Sequence, residues 1–325
     1  MLVTPETIVN DPLLYTAPLP YVVRFYPQGF PVALACDSHN VLEAAEQSWG
    51  VYLPRYDKPA LRLHVMTQEG SRELPPEPSF RGQRHLTTIV SDRENYAICD
   101  RLAGFAFCVV TRTTAADPVF FRWHFLEAMA YQLLEQTSYI ALHGAAVAFE
   151  GAGVLLYGES GVGKSTLSYA CTRRGWTYTS DDGSCLLWDN PRTVVGECHH
   201  FRFRAEAAEL FPELRTLTVG RELNRKPTIE VKTADLPIRT AHECRIDYIV
   251  FVDRQPGVAA RLTPVSRGEA RERLLQTPLG EPEVQQRHEQ VVDCLLEAPA
   301  CGLRYGSYEE AVLLLEEFIR AGRAA

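Results

Sequence analysis

The chain has 325 residues, 46% of them hydrophobic, and a formal charge of −8. That is length enough for two compact domains, each with its own core, and it excludes a disordered protein. The acidic balance gives no general pull toward nucleic-acid phosphates or anionic membranes, so neither is an expected partner.

Nine cysteines are scattered with no pair at the two-residue spacing of zinc or redox motifs. They read as buried thiols in a reducing compartment. Met1 to Leu14 lacks a basic start followed by an apolar stretch, and no window approaches the roughly 18 uncharged apolar residues of a membrane span. A cytoplasmic protein is expected.

In chain order, the first 135 residues favour strands. Tyr21–Tyr26, Val32–Cys36, Leu61–Met66, His85–Val90, Tyr96–Cys99 and Phe105–Thr111 are short apolar or β-branched runs bounded by Pro, Gly, Asp and Ser. One helix, Asn40–Trp49, interrupts them. The Pro-rich stretch Leu74–Ser79 reads as a loop. No chemistry-bearing motif falls in this half. Over Pro118–Thr137, apolar Phe121, Phe125, Ala128, Tyr131 and Leu134 form a 3.6-residue stripe, which predicts a helix and marks the domain junction.

Beyond it the order changes to strands Ile140–Phe149 and Val154–Tyr157, a glycine-rich turn, and helix Lys164–Arg174. Strands Thr177–Ser180, Cys185–Trp188 and Val194–Phe203 follow. Helix Ala205–Leu210, strands near Thr228–Val231 and Tyr248–Val252, and helices Arg267–Gln276, Glu283–Glu297 and Tyr308–Arg320 complete the chain. The expected fold class is α/β with a mixed sheet: a strand-rich N-terminal domain over residues 1–135 and a second domain over 136–325.

Gly158-Glu159-Ser160-Gly161-Val162-Gly163-Lys164-Ser165-Thr166 has two glycines spaced for a phosphate loop, followed by Lys and Ser, between a short apolar strand and an amphipathic helix. Glycines let the backbone curl with its amides inward, and the helix N-terminus adds unpaired N–H groups and a favourable dipole. Lys164 is expected to reach the β/γ-phosphates of ATP and Ser165 to place its hydroxyl on Mg2+.

Seventeen residues after Lys164, Ser180-Asp181-Asp182-Gly183 ends a strand. Adjacent side chains on a strand point to opposite faces, so only a strand end or turn brings both aspartates to one site. Asp182-Gly183 also suits the turn of a hairpin joining the flanking strands. A rival metal-site carboxylate is Asp253, at the end of the apolar run Ile246–Val252. That placement would suit a P-loop ATPase switch, although no Leu-Ser-Gly-Gly-type signature accompanies it.

Leu142-His143-Gly144, the glycine-rich loop and Asp181-Asp182 together resemble the C-terminal catalytic domain of the HPr kinase/phosphorylase family, including the kinases that modify lasso-peptide precursors. The resemblance covers about residues 138 to 215. It implies a fold related to PEP carboxykinase and a serine kinase acting on a protein or peptide. Asp181 would be the base toward the acceptor hydroxyl, Asp182 would support the metal and phosphate site, and His143 would lie close by. The family's better-known members assemble, so a homo-oligomer is a further expectation.

The family's later Glu-Ile-Arg-Gly-Leu-Gly-type signature is absent; the corresponding region reads Phe201-Arg202-Phe203-Arg204-Ala205-Glu206. This speaks against phosphorylase activity. A nearby lysine and magnesium should keep both aspartates ionised. Arg202, Arg204, Arg225 and Lys226 are candidate phosphate clamps, while His199, His200 and His242 lack zinc-ligand spacing. A small-molecule kinase is the alternative within the same chemistry.

Overall fold

The computed structural model describes residues 18–135, 137–204, 206–216, 220–223, 226–275 and 282–324. Arg225, Met1 to Leu14, and the expected helix ends Ala205 and Gln276 lie outside these. The chain forms two compact units: one of the described residues up to Ser138 with 282–284, the other of the remaining residues from Tyr139 onward. None of the described helices is long and apolar enough to cross a membrane.

The first unit is built on strands β1 (Tyr21–Phe25), β2 (Val32–Cys36), β3 (Leu61–Gln68), β4 (Ser79–Gln83), β5 (Leu86–Val90), β6 (Tyr96–Asp100) and β7 (Phe105–Thr111). They form one sheet in the order β1-β2-β3-β7-β6-β5-β4. The β2–β3 and β3–β7 pairs are parallel and the rest antiparallel. Helix α1 (His39–Trp49) makes the right-length crossover between the parallel β2 and β3.

Where the amphipathic stripe predicts one helix, the chain makes α2 (Arg112–Ala116), α3 (Pro118–Phe121), a π-helical turn (Arg122–Leu126) and α4 (Glu127–Glu135). Asp117 caps α3 by accepting the Phe120 N–H, and Pro118 begins it, which explains the break. The π turn, closed by Glu127 N–H to Arg122 O, lets the buried Glu127 carboxylate accept from both Ser48 of α1 and Arg122. A buried carboxylate needs such partners, so the irregularity is what satisfies it.

The second unit is a mixed sheet with helices on both faces. Its elements are β8 (Tyr139–Phe149), β9 (Ala152–Tyr157), α5 (Lys164–Arg173), β10 (Thr177–Ser180), β11 (Gly183–Leu187), β12 (Thr193–Gly196), β13 (His200–Arg204), α6 (Ala207–Leu210), β14 (Gly220–Leu223), β15 (Lys226–Lys232), β16 (Arg239–Thr240), β17 (Glu243–Arg254), β18 (Arg261–Val265), α7 (Arg267–Leu274), α8 (Pro282–Leu295), β19 (Ala300–Tyr305) and α9 (Tyr308–Ala324). The expected α/β mixed-sheet class is therefore what the chain adopts.

Strand β9 lies between β8, its antiparallel hairpin partner, and β17, its parallel neighbour. The β11, β12 and first-half β17 pairings then return to β8, closing a ring of strands. One apolar cluster packs α5 and α9 against Val154, Leu156, Val250, Val252 and Leu303. A second, holding Leu155, Ile249 and Phe251, packs α7 and α8 on the other side. Alternation along β9 and β17 feeds both cores, as expected for strands covered on both faces.

Two local expectations are corrected. The run Val194–Phe203 is not one strand: β12 pairs β11 and β17, whereas β13 belongs to a separate three-stranded sheet, β13-β15-β14. A turn with Cys198 N–H on Gly196 O separates them, and Phe201 and Phe203 then turn inward against Tyr169 of α5. Nor do β10 and β11 form a hairpin at Asp182-Gly183. Both pair antiparallel with β8, Ser180 opposite Ala146 and Gly183 opposite His143, as one long strand interrupted by the two aspartates.

Candidate active site

The glycine-rich loop leaves the C-terminal end of β9 and enters α5. Gly161 (φ 88°) and Gly163 (φ 98°) occupy the left-handed region that side chains disfavour. Space imposes glycine as well: a methyl group on Gly161 would sit 3.3 Å from an Arg204 guanidinium nitrogen, and one on Gly163 would sit 3.0 Å from the Tyr308 hydroxyl. Gly163 is also the N-cap of α5, whose first regular hydrogen bond runs from Leu167 N–H to Gly163 O. The remaining first-turn amides are the N–H groups that an anion can use.

Lys164, 5% exposed, curls back over its own loop and donates to Gly158 O at 2.7 Å and Glu159 O at 3.0 Å. Burial lowers its pKa, Asp182 opposes that shift, and Arg204 adds to it. The ammonium is thus held at the loop mouth by carbonyl dipoles, in electrostatic reach of Asp182. Ser165 Oγ lies 3.5 Å from the backbone oxygen of Asp181, which brings the start of α5 against the acidic pair.

The two aspartates differ sharply in environment. Asp181 is 8% exposed, and its Oδ2 accepts the Arg202 N–H at 2.8 Å. Burial pushes its pKa up to about 7, with Asp182 adding to the rise and the Arg202 backbone hydrogen bond opposing it. Desolvation outweighs the single backbone donor at Asp181, and Lys164 acts on Asp182 instead, so the lysine by itself does not hold both carboxyls down.

Asp182 is exposed, and its Oδ1 lies 2.9 Å from His143 Nδ1. Partial desolvation by its neighbours pushes Asp182 up, but the hydrogen bond and charge of His143, with Lys164 and Arg202, outweigh it and hold the carboxyl below its ordinary value. The β8–β11 register accounts for this pairing, because His143 stands directly opposite Gly183. One carboxyl is thus pushed up toward neutrality, while its neighbour is held below the ordinary carboxylate value. Separated pKa values of this kind suit a base beside a charge-bearing ligand.

The residues fit a magnesium ion by donor chemistry. The cation takes hard oxygens, commonly one or two carboxylates with substrate phosphates, and Asp182 and the Ser165 hydroxyl offer a carboxylate and a hydroxyl beside the loop. Among the described residues no cluster of three or more His, Cys, Asp or Glu could hold a metal by itself.

The arginine candidates separate. Arg204 reaches the loop at Gly161. The Arg202 guanidinium is occupied by Glu197 at 3.2 Å and Glu230 at 3.0 Å, so it positions Asp181 through its backbone instead. Arg225 falls outside the described residues, as does the Lys226 side chain. Asp253 is bound by Arg304 at 3.0 Å and by Gln255. Strand alternation groups it with Ile249 and Phe251, on the α7–α8 side, away from the core beneath α5.

Sequence reasoning missed Arg254, Tyr305 and Tyr308. The two tyrosine hydroxyls and the Arg254 side chain crowd Gly163, and the Arg254 guanidinium stacks 4.8 Å from the Tyr308 ring centroid. No local signal marks them, because they reach the loop only through the pairing of β17 with β9, of β19 with β17, and the turn from β19 into α9.

Residues 134–207 match the family model for the HPr Serine kinase C-terminal domain. Among curated proteins, HPr kinase/phosphorylase of Latilactobacillus sakei is 42% identical over 66 residues, 20% of either chain. That of Lactobacillus delbrueckii is 42% identical over 69 residues, 21% of either. The matched stretch thus spans about one fifth of those relatives. A solved HPr(Ser) kinase/phosphatase from Coxiella burnetii aligns over 57% of this chain and 96% of its own, at 14% identity and a TM-score of 0.30. The segment holding His143, the glycine-rich loop and both aspartates is therefore similar in sequence to the C-terminal domain of HPr serine kinase, and the resemblance read from those motifs is borne out there.

Proposed function

We propose that the chain transfers the γ-phosphoryl group of ATP, with magnesium, to a hydroxyl of a protein or peptide acceptor. The observation that carries this reading is the convergence of five groups at one end of the loop. Lys164 sits at the mouth, Ser165 contacts the Asp181 backbone, Asp181 is buried behind it, and Asp182 stands in front with His143.

Phosphoryl transfer needs little covalent help from the protein; it needs the acceptor in line and the transferred oxygens neutralised. The loop amides and the α5 N-terminus would cradle the phosphates, and Lys164 would exchange its two carbonyl partners for phosphate oxygens. Asp182 and Ser165 would hold the magnesium, whose charge stabilises the oxygens between leaving and transferred groups. Asp181 would orient the acceptor hydroxyl and accept its proton, which requires that carboxyl to be ionised. Similarity to kinases named for HPr supports a protein acceptor over a small one. Phosphorylase activity is not part of the proposal, because Phe201–Arg204 departs from the signature tied to it.

The test is incubation with labelled ATP and magnesium in the presence of cell extract or candidate proteins. A labelled protein band, lost in Lys164→Ala, is the expected result. Label in low-mass material would instead make the acceptor a small molecule, and absence of both transfer and Mg-ADP binding would sink the reading.

A further inference from the structure

Alongside α5, on the flank away from the aspartates, lies a cavity of about 540 Å³, within the size range of small-ligand sites. Its walls include Ala170 and Arg173 of α5, Phe211, Arg254, and the Gly306–Glu309 segment that begins α9. Tyr308 connects it to the phosphate loop. The Tyr308 ring lines the cavity, its hydroxyl crowds Gly163, and its side chain hydrogen-bonds Thr166 in the first turn of α5.

Two considerations say what such a cavity would take. The first is direction. β9 delivers the loop between β8, whose His143 marks the acidic flank, and β17 and β19, whose Arg254 and Tyr305 mark the other. If the terminal phosphate faces Asp181 and Asp182, the rest of the nucleotide must leave toward β17 and β19, along Thr166 and Tyr308. The second is charge. Arg173 is paired with Glu213 at 3.1 Å and Arg174 with Glu316 at 2.9 Å. Two of the three arginines that line the cavity are thus neutralised within the fold, and the third, Arg254, lies over the Tyr308 ring, so the walls offer π surface more than a second anion site.

We infer that this cavity receives the nucleoside part of the nucleotide, an assignment that rests on the phosphate-loop reading above. The Arg254 guanidinium, already stacked on Tyr308, presents its free planar face to an aromatic base, a contact that arginine favours over lysine. Glu309, exposed at the rim, supplies carboxylate oxygens to ribose hydroxyls or an exocyclic amine.

Calorimetry on the full chain with Mg-ADP and with magnesium pyrophosphate tests it, because the two probes share their phosphates and differ by the nucleoside. The native chain should bind Mg-ADP more tightly. Ala170→Leu, which fills the cavity, should weaken Mg-ADP at least tenfold and leave pyrophosphate within twofold. Glu309→Ala, which removes the carboxylate at the rim and touches no residue of the phosphate loop, should weaken Mg-ADP several-fold with pyrophosphate unchanged, and it decides the matter where Ala170→Leu lowers the melting temperature. Equal affinity of the native chain for both probes, or parallel loss of both in the variants, would overturn the assignment while the phosphate-loop reading stands. A native chain that binds neither probe removes both.

Discussion

The two flanks of the glycine-rich loop are built by different routes. On the β8 side, His143, Asp181 and Asp182 come from segments within about forty residues of one another, and a strand register brings the histidine to the aspartate. On the β17–β19 side, Arg254, Tyr305 and Tyr308 arrive from ninety or more residues downstream, through the parallel pairing of β17 with β9, of β19 with β17, and the start of α9 that follows. The first flank is charged and titratable; the second is aromatic and its cations are paired or stacked. A phosphate chain laid between them would meet chemistry at one end and shape at the other.

The strongest challenge to this division is removal of the loop cation. Lys164→Ala should abolish ATP turnover, a loss of at least about a hundredfold, since a positioned cation on the transferred group is among the largest contributions in such sites. Turnover assays with labelled ATP check it. Next comes Asp181→Asn, expected to lower kcat by roughly 10² to 10⁴, the range of a lost general base, with Mg-ADP affinity within a fewfold. If binding collapsed instead, the acidic flank would be holding nucleotide and not acceptor.

The pH profile sharpens the same point. Asp181 must be ionised to act as base, and in the free chain its pKa stands near 7, so kcat/KM should rise with pH through about 7 and level above it. Stability should run the other way. The folded chain keeps the Asp181 proton up to about 7, whereas the unfolded carboxyl loses it near 3.8. The contribution is complete below about pH 4, falls as pH rises toward 7, and is flat beyond. The melting temperature of the native chain minus that of Asp181→Asn should fall as pH rises from 4 to 7 and level off beyond.

Smaller effects follow from the neighbours. His143→Ala removes the hydrogen bond that helps hold the Asp182 pKa down, so the carboxyl should shift upward, and half-maximal activity should need several-fold more magnesium, read from a metal titration. Asp253→Asn should be nearly silent, changing turnover less than about twofold. It weakens only an exposed pair with Arg304 and a hydrogen bond from Gln255, contacts worth about 1 kcal/mol or less. Suppression of transfer by Asp253→Asn would reverse the assignment of the two flanks.

Much of the second unit was legible locally. The loop, its entering strand and its leaving helix appear within a residue or two of their expected bounds, because glycine placement, an apolar run and helical periodicity are all short-range signals. The aspartates were found for the same reason. Their setting was not: β10 and β11 look like a hairpin until β8 offers one long edge to both, and Val194–Phe203 looks like one strand until β12 and β13 join different sheets. The helix Pro118–Thr137 shows the same limit, since the π turn answers the buried Glu127 and not any preference of its own residues.

The sequence by itself determined which residues could grip phosphate and which carboxylates stood nearby, since backbone freedom at Gly161 and Gly163 and the start of α5 depend on near neighbours alone. Tertiary structure decided that Asp181 is buried while Asp182 pairs with His143, that Asp253 is turned away, and that Tyr308 and Arg254 stand beside Gly163. Those outcomes depend on desolvation and strand pairing across long separations, quantities that no short window of residues contains.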